Sequence, residues 1–160
     1  MTSDLEETMT LRSTDVVVLC GGRSADLVTP VGELHVLLAE LEVSGATDVD
    51  PWLVEAPSRQ LSELRRIAAK ASEADPARVA CAVVVHEAPS PEAGAIARAS
   101  IEALRGNMHS VTPELGRRAR LNLAIAGSDR VDALNDTLAF LASEDASYLD
   151  SSTLDLGGWA

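Results

Sequence analysis

A chain of 160 residues with 25 acidic and 13 basic side chains has a formal charge of −12. Such a chain offers neither nucleic acid nor an anionic membrane the cationic footprint each requires. Hydrophobic residues make up 46% and aromatics only 2%, so a core has to be built from Val, Leu, Ile and Ala, and the length suits one domain that needs no metal or disulfide support.

Residues 1–13, MTSDLEETMTLRS, are acidic and lack the apolar stretch of a signal peptide; they read as a disordered leader to a domain spanning 14–160. DVVVLC (15–20) is a continuous apolar run closed by Gly21-Gly22, the pattern of a strand buried on both faces. VGELHVLLAELEVSG (31–45) places Val31, Leu34, Leu38 and Leu41 at helical spacing with Gly45 as a stop, which predicts a helix. Residues 46–57 hold Pro51 and Pro57 and read as a connection. Ser58 then caps a predicted helix running to about Ala74, with Leu61, Leu64, Ala68 and Ala71 on one face.

ARVACAVVV (77–85) predicts a second buried strand, and APSPEAG a turn. From Glu92 to Leu115 a long helical pattern carries the apolar stripe Ile101, Leu104, Met108, Val111 and Leu115. A second stripe on the same segment consists of small residues: Ala99, Ala103, Gly106 and Ser110. ARLNLAIAG (119–127) predicts a third strand, and a helix opening near Ser128 carries Val131, Leu134, Leu138 and Leu141. STLDL (152–156) predicts a short last strand before Gly-Gly. Strands alternating with helices give an α/β fold, an incomplete Rossmann-like parallel sheet of about four strands with helices on both faces.

Few constellations carry chemistry. His86-Glu87 lies at the C-terminal edge of a predicted parallel strand, where α/β sheets place their sites, and could support proton transfer. A solvated turn before Pro89 is the plainer reading. His35 and His109 fall on helical patterns as surface residues, and no spacing suits a metal. Gly21-Gly22-Arg23-Ser24 could hold an anion, although a tight turn accounts for it as well. Cys20 and Cys81 sit inside apolar runs, as buried thiols of a cytoplasmic protein do, and no run is long enough to cross a bilayer.

The segment FLASEDASYLDSSTLDLGG (140–158) resembles the C-terminal segment of short-chain dehydrogenase/reductases (SDRs): a helix ending Phe-Leu-Ala-Ser, an acidic turn, a Tyr and a strand closing on Gly-Gly. ARLNLAIAG resembles that family's Arg-Val-Asn-x-x-x-Pro-Gly strand, and RASIEALRGNMHSVTPELGRR (98–118) the long helix that carries its Tyr-x-x-x-Lys pair. ARVACAVVV resembles the strand before its catalytic Ser. Two alignments compete for residues 15–45. In the preferred one, DVVVLCGG is the family's fourth strand, ending in what would be Asn-Asn-Ala-Gly. In the other, it is a decayed first strand, GGRSADLVTPVG is the remnant of the glycine loop, and the middle of the domain is deleted.

Counting back from Glu114-Leu115, the resemblance puts Ala97 where the family has its Tyr and Ile101 where it has its Lys, and Val85-His86-Glu87 where a strand end supplies Ser. A methyl group cannot protonate a carbonyl oxygen as hydride arrives, and Ile101 carries no charge. Tyr148 lies in the turn before the last strand, where its ring is expected to pack with its hydroxyl bonded. The dinucleotide loop is missing on the preferred alignment and its spacing is broken on the other, so no cofactor and no catalytic residue are expected. The resemblance implies a non-catalytic, truncated SDR-like subunit that associates with a full-length SDR paralogue, or with itself, and stabilises or shapes the partner's site. Its interface would use the small stripe Ala99, Ala103, Gly106 and Ser110, and the 15–20 strand would form an exposed sheet edge. The alternatives are a small enzyme doing redox-free chemistry at His86 and Glu87, and a homodimeric small-ligand-binding protein.

Overall fold

The computed structural model describes residues 16–43 and 51–159, so the leader lies outside the described residues. Five strands, β1 (Val16–Cys20), β2 (His35–Leu41), β3 (Ala77–Val85), β4 (Ala119–Gly127) and β5 (Thr153–Asp155), pair in parallel in the spatial order β1-β2-β3-β4-β5. Three α-helices cover the sheet: α1 (Ala56–Ala69), α2 (Pro91–Leu115) and α3 (Val131–Leu141). The fold is a Rossmann-like α/β sheet with helices on both faces, with one strand more than the four expected.

That extra strand is β2, and it overturns the helix expected over 31–44. In HVLLAEL the apolar residues fall on both parities. Leu37, Ala39 and Leu41 point into one layer, while Val36 and Leu38 point into the other. A central parallel strand wants that pattern, and a 3–4 spacing can be picked out of any such run by accident. The β1 strand stays at the sheet edge, as expected, but pairs with β2.

Two apolar layers form the core. The β3 residues Val79, Cys81, Val83 and Val85 face α1 and α2, whose Leu64, Ile67, Ile101, Leu104, Met108, Val111 and Leu115 are buried against them. The opposite parity, Ala80, Ala82 and Val84 with Ala124 and Ala126 of β4, presents small side chains on which α3 seats Leu134, Leu138 and Leu141. The connection 21–34 covers the same face through Val28 and Leu34 and is stapled to α3 by Asn135, which bonds Thr29 N and Leu27 O at 2.9 and 2.8 Å.

The α2 helix starts as its sequence dictates: Ser90 caps it by accepting from Ala93 N at 3.2 Å, and Pro91 occupies the first turn. The α1 helix does not follow the expectation. A π-helical turn at Pro51–Glu55 leads into it at Ala56, so Ser58 lies inside the helix and caps nothing. It ends at Ala69, short of Ala74, where Ser72 and Asp75 close a turn ahead of Pro76.

Tyr148 is also placed differently from expectation: it is 77% exposed. The return loop 142–152 is held instead by side chains of the sheet reaching its backbone. Arg78 donates to Ala142 O at 2.8 Å and Arg120 to Ser147 O. Asn122 donates to Leu149 O at 3.2 Å and accepts from Ser152 N at 3.0 Å. With the carbonyls satisfied in this way, the ring has no structural task.

Candidate functional site

All strands run the same way and the order is linear, so crossovers over opposite faces have opposite hands. The β2-to-β3 and β3-to-β4 connections pass over one face, through α1 and α2. The β1-to-β2 and β4-to-β5 connections pass over the other. One of these two pairs is therefore of the left-handed kind that natural sheets almost always avoid. The local consequence is a gap. At its C-terminal end β3 turns toward one face and its neighbour β4 toward the other, and a crevice opens where adjacent exits diverge. A cleft of about 620 Å³ lies there, lined among others by His86, Ala97, Arg98, Ser128, Asp129 and Trp159.

The far wall comes from the last described residues. Gly127 N donates to Gly157 O at 2.8 Å, and a Cβ on Gly127 would stand only 2.1 Å from Gly158 O, so only glycine lets the two segments approach. Trp159 is fixed there by its Nε1, 2.9 Å from Asp155 Oδ1.

Behind His86, which lines the cleft, lies a buried carboxylate. Glu40, near the end of β2, is 2% exposed. It accepts from Ser24 N at 2.6 Å and from Ser24 Oγ at 2.9 Å, and its Oε2 is bonded to His86 Nε2. Burial works to raise its pKa, but the hydrogen bonds from His86 and Ser24 together outweigh burial and hold it below its ordinary value. A charge in so deep a position is tolerated because every approach to it is a donor. Ser24 is brought in by the turn after β1, where Gly21 has φ +69° and a Cβ there would meet Glu40 O at 2.6 Å. His86 sits on the first residue after β3, its backbone N–H bonded to Leu41 O at 2.9 Å, with its side chain 15% exposed.

Glu87 is exposed and lines the same cleft as His86, while the acid bonded to His86 is Glu40, from a different strand. The sequence did carry a signal for it, since Glu40 is the one acid inside an otherwise apolar strand. That signal shows only once 35–41 is read as a strand.

Ala97 is buried and lines the cleft, while Ile101 is buried in the core beneath it. In the small stripe of α2, Ala99, Gly106 and Ser110 are exposed and Ala103 half-buried, so the stripe lies outside the core, and a Cβ on Gly106 would meet nothing within 4 Å. Arg23 pairs with Glu42 at 2.8 Å and Ser24 is committed to Glu40, so the Gly21–Ser24 turn binds the protein's own carboxylates. His35 is half-buried on β2, with burial pushing its pKa down, and His109 is exposed on α2. Cys20 and Cys81 are free buried thiols; burial raises them to about 11 and about 12, too high for a nucleophilic thiolate.

Among the described residues no three His, Cys, Asp or Glu side chains gather closely enough to hold a metal ion, and no helix is long and apolar enough to cross a membrane. No protein-family model matches the chain, and no curated protein matches it by sequence.

Proposed function

We propose that this chain is a cytoplasmic, truncated SDR-like subunit that lacks hydride transfer of its own, docks on a full-length active SDR paralogue and stabilises or shapes that partner's site. The observation that carries the reading is Ala97. It lines the cleft at the C-terminal edge of the sheet, at the position the resemblance assigns to the proton-donating Tyr, and its methyl cannot donate. Ile101, at the Lys position, is buried among apolar side chains.

The strand order bears on which part of that family persists. The place beside β3 is taken by 35–41, and 16–20 lies one strand further out. In the family the fourth strand neighbours the first, so this order favours the alignment in which DVVVLCGG descends from the first strand and the middle of the domain is missing. Docking is supported by two features. Among the described residues β1 is an edge strand whose apolar Val16, Val17 and Val18 are only half-buried, and an uncovered edge invites pairing. The small side chains of Ala99, Gly106 and Ser110 face outward on α2, where another helix could approach closely.

Co-expression with a candidate full-length SDR paralogue, followed by size-exclusion chromatography and assay of the partner, tests the reading. Co-elution with a changed partner turnover is expected. Separate elution with unchanged turnover overturns it.

A further inference from the structure

The buried Glu40 fixes more than the local fold. Its carboxylate has no proton to give and accepts from three donors, so the hydrogen shared with His86 belongs to the imidazole Nε2 when that ring is neutral. The ring is then locked in one tautomer, with its lone pair on Nδ1. Nδ1 has no hydrogen-bond partner among the described residues, and His86 lines the cleft. A base whose second nitrogen is held by a buried carboxylate, beside open space, is the arrangement that makes histidine a general base. The nearby hydroxyl does not turn the pair into a nucleophilic triad: Ser24 Oγ donates to Glu40 Oε2, the oxygen that also holds His86 Nε2, so it is committed to the carboxylate and not to the ring. Trp159 lines the same cleft, so a flat substrate meets an aromatic side chain there.

We infer that His86, oriented by Glu40, is the general base of a redox-free site in this cleft that removes a proton from carbon in a small, flat organic substrate. This goes beyond the subunit reading and does not depend on it. In the step, Nδ1 takes the proton and the electron pair of the C–H bond forms a new multiple bond. A leaving group departs with its own bonding pair, or an adjacent carbonyl oxygen takes the charge. The imidazolium then returns its proton to solvent or to the product, so no oxidant, reductant or nucleotide enters the balance. His86 is the catalytic residue and Glu40 a positioning residue.

The test uses the full chain alone, without nicotinamide, and 5-nitrobenzisoxazole as probe. Loss of its ring C–H proton to a base breaks the N–O bond and releases a coloured cyanophenolate. The expected result is turnover above that of free imidazole at equal concentration, falling roughly a hundredfold in His86→Asn. In Glu40→Gln the amide N–H₂ faces the ring and reverses its tautomer while keeping the side chain's shape, so kcat falls about tenfold with KM unchanged. Turnover no faster than imidazole, or equal in wild type and His86→Asn, overturns the inference. If His86→Asn loses cooperative melting, Glu40→Gln decides: a fall in kcat at constant KM upholds the site, and an unchanged kcat overturns it.

Discussion

The two ends of the sheet spend their polar side chains differently. At the N-terminal end, Arg78, Arg120 and Asn122 all reach backbone groups of the return loop 142–152. Those bonds tie the loop, whose only regular element is a 3-10 turn at Glu144–Ala146, to the sheet. At the C-terminal end, Glu40, Ser24 and His86 bond mainly to one another, beside a cleft of about 620 Å³. Buried polar groups that serve the chain's own backbone are scaffolding. Polar groups that orient each other next to open space have capacity left for a ligand, and this asymmetry separates the candidate site from the rest of the molecule.

Substitutions can break that contrast, and the largest effect belongs to the scaffolding end. Asn122→Ala leaves Leu149 O and Ser152 N without their partners, and should cost about 3 kcal/mol in urea unfolding while leaving the cleft's reactivity intact. Gly127→Ala comes next. Its Cβ collides with Gly158 O, so the cleft wall must move, for about 2 kcal/mol. A red-shifted tryptophan emission would report Trp159 leaving its place against Asp155.

Acid titration gives a smaller effect and sharpens the contrast at the other end. Glu40 titrates below its ordinary value of 4.5 in the folded state. Its contribution to stability is therefore fully present above that value and is lost as pH falls through the lower folded value. Wild type should lose melting temperature faster than Glu40→Gln on acidification below about pH 4.5, and parallel acid limbs would contradict the assigned network. Smallest of all is Arg65→Ala, which removes an exposed pair with Glu114 at 2.8 Å. No resolvable change in melting temperature is expected, because surface ion pairs of this kind contribute little.

Much of the architecture was legible in the chain because its strands are unusually plain. ARVACAVVV and ARLNLAIAG coincide residue for residue with β3 and β4, since runs buried on both faces need apolar residues at every position. HVLLAEL was harder for the same reason: Leu34, Leu38 and Leu41 satisfy a helical period as well as a strand's. Misreading it hid Glu40, whose position only makes sense on a buried strand. The site could not be read by proximity in sequence either, because His86 and Glu40 are 46 residues apart and the parallel pairing of β2 with β3 brings them together. The small stripe of α2 was visible, but nothing local said that it faces outward.

The position of Trp159 has a practical corollary. Trp159 stands in the wall of the cleft, so a purification tag fused at the C-terminus is tethered close in sequence to the mouth and could imitate an inhibitor. Material for binding or kinetic work is better labelled ahead of β1, on the opposite margin of the sheet from the segment that supplies this wall.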